Sequence, residues 1–131
     1  MASELKVDKF TGVTTAGSIL VTGEGNSTTT NLQQGLAKAW VKTVEGASPA
    51  DSFNISGVTD VSTGNYLIAI NNDISNAHYS VVVSKLAAGS ARDVNLSSDT
   101  PPTASAFQIF STAASSTEDQ TCYATVHGDL A

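Results

Sequence analysis

A single cysteine, Cys122, leaves no partner for an intrachain disulfide, and a lone thiol in an apolar strand reads as a small core residue. Charge is scarce, with 14% of the 131 residues being Asp, Glu, Lys or Arg, against about a quarter in ordinary domains. Basic residues are scarcer still: Lys6, Lys9, Lys38, Lys42, Lys85 and Arg92 are scattered along the chain against twelve acids, for a net charge of −6. Nucleic-acid recognition needs a concentrated basic patch, so no nucleic-acid partner is expected. The acidity itself reads as a solubility feature. No apolar run reaches about 18 residues, so no membrane span is expected. The basic segment, apolar stretch and small-residue cleavage site of a signal peptide are missing too.

The groups that chemistry needs are also sparse. His78 and His127 are the only histidines. A hydrolytic triad would need one of them beside a nucleophile and a carboxylate, and no G-x-S-x-G elbow occurs. One cysteine and two distant histidines do not supply a zinc site. Oxygens cluster at Asn71–Asp73 and Thr59–Asn65, yet neither run has the alternating acids and twelfth-position Glu of a calcium-binding EF-hand loop. Both read as turn chemistry. Glu118 and Asp119 are adjacent, so in a strand they would point to opposite faces rather than pair across a cleft. The glycines of "GEGNST" lack the lysine and spacing of a phosphate loop. The expectation is a protein that is not an enzyme and takes no metal or cofactor.

What the chain does have is Val, Ile and Thr. Ser and Thr make up roughly a quarter of the residues, a composition suited to strands and turns rather than helices. Low charge with many β-branched residues argues against disorder. The length fits one domain plus an arm.

Residues 1–36 are expected to form that arm, used for docking and oligomerisation. It holds two short apolar stretches, Leu5, Val7 and Phe10, then Ile19, Leu20 and Val21, neither long enough for a core. Gly23, Gly25 and Asn26 mark a loop, and Thr30 or Asn31 can N-cap a short helix that Gly35 weakens. From residue 37 to 131 short strands recur, separated by turn signals. Lys38–Val44, Ser52–Val58, Tyr66–Ile70, His78–Leu86, Arg92–Leu96, Ser105–Phe110 and Thr121–Gly128 read as strands. Breaks fall at 46–49, 59–65, 71–73, 87–91 and 97–102. That rhythm, without helical patterns between the strands, predicts an all-β fold: a small antiparallel β-sandwich preceded by an extended N-terminal arm. The predicted core is Trp40, Phe53, Ile55, Tyr66, Ile68, Ile70, Val81, Val83, Phe107, Ile109 and Val126. Trp40, flanked by Lys38 and Lys42, is read as a core anchor. Its alternative is an outward position where an aromatic ring could meet a sugar.

The stretch from Ala37 to Ser84 resembles a domain found at the ends of bacteriophage tail-fibre and related virion proteins, a C-terminal β-sandwich of marine-phage fibre-like proteins. The likeness lies in Trp40-Val41, Gly46, Ser52 to Ser56, Val58 to Asp60, Thr63-Gly64, Tyr66 to Ile68, and Tyr79 to Val81. Lys6-Val7-Asp8 and Thr14 to Ser18 resemble the openings of such fibre proteins. Lys42–Glu45 and Pro49–Asp51 depart from the pattern, which bears on any shared ligand surface more than on the fold. The resemblance implies a virion structural protein: a capsid-decorating protein, a head fibre or a short tail fibre, located on the virion and assembled as a homotrimer. Its partners would be copies of itself and a major capsid or tail protein, with the arm residues Leu5, Val7, Phe10, Ile19, Leu20 and Val21 as the docking set. A host-glycan-binding adhesin, meeting a host surface glycan, is the alternative.

Overall fold

The computed structural model describes residues 4–13, 19–23, 28–45, 48–86, 92–114 and 116–130. The breaks expected at 46–47 and 87–91, and the likeness at Thr14 to Ser18, lie outside these residues. The chain divides into two compact units, Met1–Leu36 and Ala37–Ala131.

In the first unit, strand β1 (Leu20–Thr22) pairs antiparallel with β2 (Thr29–Asn31). The Gly23 N–H donates to the Thr28 carbonyl at 2.9 Å. Asn31 then starts the one-turn helix α1 (Leu32–Gly35). Its side-chain oxygen accepts from the Gln33 and Gln34 amides, satisfying donors that have no partner within the helix. Glycine is a poor helix former, and Leu36, with φ −92° and ψ 142°, is already extended. The extended stretch expected over Leu5–Phe10 joins no strand pairing.

The second unit is all-β and antiparallel. One sheet holds β3 (Ala39–Val44), β4 (Ser48–Phe53), β7 (Ser80–Lys85) and β11 (Cys122–His127) in the order β4-β3-β11-β7. The other holds β5 (Ile55–Ser62), β6 (Asn65–Ile70), β8 (Arg92–Leu96), β9 (Ala106–Ala113) and the two-residue β10 (Ser116–Thr117). Its strands run β10-β9-β6-β5, with β8 also on β9. Alternate residues of both sheets point inward and share one core. Ala39, Val41, Ala124 and Val126 come from the first sheet, and Tyr66, Ile68, Ile70, Phe107 and Ile109 from the second. Cys122 is part of this core, as a free buried thiol. Burial pushes its pKa up.

Three local readings need correction. Ser52–Val58 is not one strand. Asn54 adopts a left-handed φ of 56°, and the chain turns there from β4 in one sheet to β5 in the other. Asparagine is among the few residues other than glycine that tolerate this region. Its side chain also ties the corner together. Nδ2 donates to the carbonyls of Lys38 (2.9 Å) and Asn72 (3.1 Å), and Oδ1 accepts from the Asn72 amide at 2.7 Å. The stretch 59–65 is likewise not all turn. Thr59–Ser62 completes β5, and the turn narrows to Thr63-Gly64. Pro49, expected in a turn, lies in β4 beside a bulge between Lys42 and Thr43. Among the described residues β4 is an edge strand, the place where proline is tolerated.

Buried polar groups are paired. Thr43 Oγ1 accepts from the Cys122 amide at 2.9 Å. Tyr66 Oη donates to Asp119 Oδ1 and accepts from the Gln120 amide, each at 3.1 Å. Lys85 Nζ donates to Ser111 Oγ at 2.9 Å and to the Thr112 carbonyl. Tyr79 Oη donates to the carbonyls of Thr103 and Ala106, at 2.9 and 3.0 Å. Burial pushes the Tyr79 hydroxyl up to about 12 from 10.0. A phenol whose folded pKa is raised contributes stability that is full below the unfolded pKa and lost as pH climbs through the folded one. Stability is therefore expected to fall between pH 10 and 12. Urea unfolding across that window should show a shallower fall for Tyr79→Phe than for the wild type.

Candidate functional site

Of the docking residues expected in the arm, Leu5, Val7, Phe10, Leu20 and Val21 are exposed, and Ile19 is half-buried. Leu5 and Phe10 show 74% and 61% of their surface to solvent. The pairing of β1 with β2 brings Leu20 opposite Asn31 and Val21 opposite Thr30, so neither meets an apolar cross-strand partner. Among the described residues of Met1–Leu36 none is buried.

A second exposed apolar surface lies on the outer face of the β4-β3-β11-β7 sheet, where the sequence reading had placed core residues. Trp40 and Phe53 are not in the core: they are 38% and 54% exposed. In β3 the inward residues are Ala39, Val41 and Thr43, all buried, which sends Trp40 and Lys42 outward. Strand register then assembles the face. Phe53, Trp40, Thr125 and Val82 stand opposite one another across the four strands, and Asp51, Lys42, Tyr123 and Ser84 form the next row. Lys42 Nζ sits 5.9 Å from the centroid of the Tyr123 ring, within cation–π range. Asp51, directly across from Lys42, balances its charge on the same face. On the far side of the aromatic row, His127 pairs with Ser80.

The sequence carries only an ambiguous signal for this face. Lys42 keeps the same strand parity as Trp40 and points outward with it, but Lys38 shares that parity and is buried. The greater bulk of Trp40 over Ala39 points the other way.

The other polar candidates make the following contacts. His78 lies in the loop before β7, where its backbone amide donates to Asn76 Oδ1 at 2.7 Å. Asn71 and Asn72 donate their amides to Asn54. The Asp119 carboxylate holds Tyr66 and also accepts from the Gly64 amide at 2.6 Å. Lys38 is buried at the start of β3, and desolvation lowers its pKa against an opposing pull from Asp129. Among the described residues no group of three or more His, Cys, Asp or Glu is placed to hold a metal. None of the helices in these residues is long and apolar enough to cross a membrane.

The second unit thus defines an all-β, sandwich-like protein. Comparison with family models, with curated proteins and with solved structures returns no match to this chain.

Proposed function

We propose that this chain is a non-enzymatic structural component of a phage virion, a capsid-decorating or short fibre protein that assembles through its N-terminal unit and displays its β-sandwich. The observation that carries the reading is the absence of any buried residue among those described in Met1–Leu36, together with the exposure of Leu5, Val7, Phe10, Leu20 and Val21. A two-stranded ribbon is at best marginally stable alone. Each large apolar side chain moved from water into a packed interface contributes about 1.5–3 kcal/mol. Several such groups on one short segment fit a docking element whose stability comes from neighbouring subunits. The virion setting and the trimer rest on the resemblance of Ala37–Ser84 to fibre-end domains.

The test is sedimentation velocity of the full chain beside a variant carrying Leu5→Ser, Phe10→Ser, Leu20→Ser and Val21→Ser. The expected result is a trimer for the wild type, a monomer for the variant, and the same melting temperature for the sandwich in both. A wild type that stays monomeric at every concentration, or a variant that assembles equally well, overturns the reading.

A further inference from the structure

We propose that the outer face of the β4-β3-β11-β7 sheet is a binding site for a neutral oligosaccharide, with Trp40 and Phe53 as its stacking platform. This inference is independent of how the arm assembles.

The aromatic row is contiguous because its members sit at paired positions on neighbouring strands. Trp40 and Phe53 are cross-strand partners, with Val82 (62% exposed) continuing the row beyond Thr125. Pyranose rings present a face of C–H groups that suits such an apolar shelf, while their hydroxyls need hydrogen-bonding partners around it. Those partners border the row on both sides: Lys42, Asp51 and Ser84 along one flank, His127 and Ser80 along the other. A few placed polar groups beside aromatic side chains are what orient a small ligand.

Size decides against a protein occupant, and charge against an anionic one. The aromatic row with its two flanking rows, at strand spacings of about 4.8 Å and about 6.7 Å between alternate residues, spans on the order of 400 Å². A stable protein interface needs about 800 Å² on each side. Lys42 and Asp51 face each other and leave the shelf near neutral, although the chain carries −6. An anionic glycan would meet that net charge without a cationic cluster to offset it. A short, uncharged sugar chain fits both the footprint and the charge.

Trp40 is the only tryptophan, so its fluorescence reports on this shelf alone. The 131-residue chain is titrated with cellohexaose, maltohexaose, triacetylchitotriose, a xylo-oligosaccharide and a galacto-oligosaccharide, each to about 10 mM, where a millimolar affinity would be close to saturating. A heparin-derived oligosaccharide serves as the anionic control. The expected result is a saturable emission change with at least one neutral sugar and none with the control. Calorimetry with that sugar should show affinity at least tenfold weaker in Trp40→Ala and in Phe53→Ala, with melting temperatures close to that of the wild type. Three results overturn the proposal: no neutral sugar binds, the anionic sugar binds as well as the neutral ones, or the variants bind unchanged. Concentration-dependent self-association lost in Trp40→Ala would make a second copy the occupant and overturn it as well.

Discussion

Phe107→Ala should lower the unfolding free energy by about 3–5 kcal/mol, the range for removing a buried aromatic side chain, while Trp40→Ala changes it by less than about 1 kcal/mol, as for a surface substitution. Phe107 is 1% exposed at the centre of the shared core. Its ring meets that of Tyr79 edge-on, with centroids 6.4 Å apart and planes at 71°. Truncation removes this contact and leaves a cavity between two sheets, each held by its own hydrogen-bonded ladder. Little can move in to fill it. A domain of this size has about 5–15 kcal/mol of net stability, so the loss takes a large part of it. Equilibrium urea unfolding of the two variants measures the contrast. The opposite order, with Trp40 costing more than Phe107, would mean that β3 faces the other way and that the sheet register is wrong.

Gly64→Ala should cost at least about 2 kcal/mol, for two reasons that act together. Gly64 has a φ of +74°, and left-handed backbone costs an L-residue about 1–2 kcal/mol. An added Cβ would also lie 2.6 Å from the Ser111 carbonyl oxygen and 2.8 Å from the Glu118 amide nitrogen. Both are backbone atoms, and neither can swing aside as a flexible side chain would. The Gly64 carbonyl accepts from the Ser111 amide at 2.7 Å, so the turn is locked against β9 at the point where Asp119 and Tyr66 also meet. Gly64→Asn separates the two causes. Asparagine tolerates the dihedral but carries the same Cβ, so it should destabilise nearly as much as alanine. A well-tolerated asparagine would show that the dihedral alone sets the cost.

These effects indicate what the sequence could reveal. Tyr66, Ile68 and Ile70 alternate with smaller or half-buried neighbours in a central strand, so bulk and direction agree and β6 could be read directly. In β3 they disagree. Ala39, Val41 and Thr43 face inward while Trp40 faces out, and a rule that sends the largest apolar residue to the core inverts the strand. Phe53 and Ile55 have the same parity, but Asn54 breaks the strand between them, and parity does not carry across a corner between sheets. Thr59–Ser62 looked like a turn because β5 lies at the edge of its sheet among the described residues and its end is exposed. A polar strand end and a loop have the same composition. The candidate sites divide similarly. The apolar residues of the arm were legible as a group without a core. The outer aromatic face was not, because it depends on register across four strands drawn from distant parts of the chain.

Hydrogen exchange of the arm at two protein concentrations tests the assembly account most directly. Leu5–Phe10 takes part in no strand pairing, so its amides have no ladder within the chain to slow them. Slow exchange there when the protein is concentrated, reverting to fast exchange on dilution, is the expected result. Exchange equally fast at both concentrations would mean that no neighbouring subunit covers those residues, and would contradict the account.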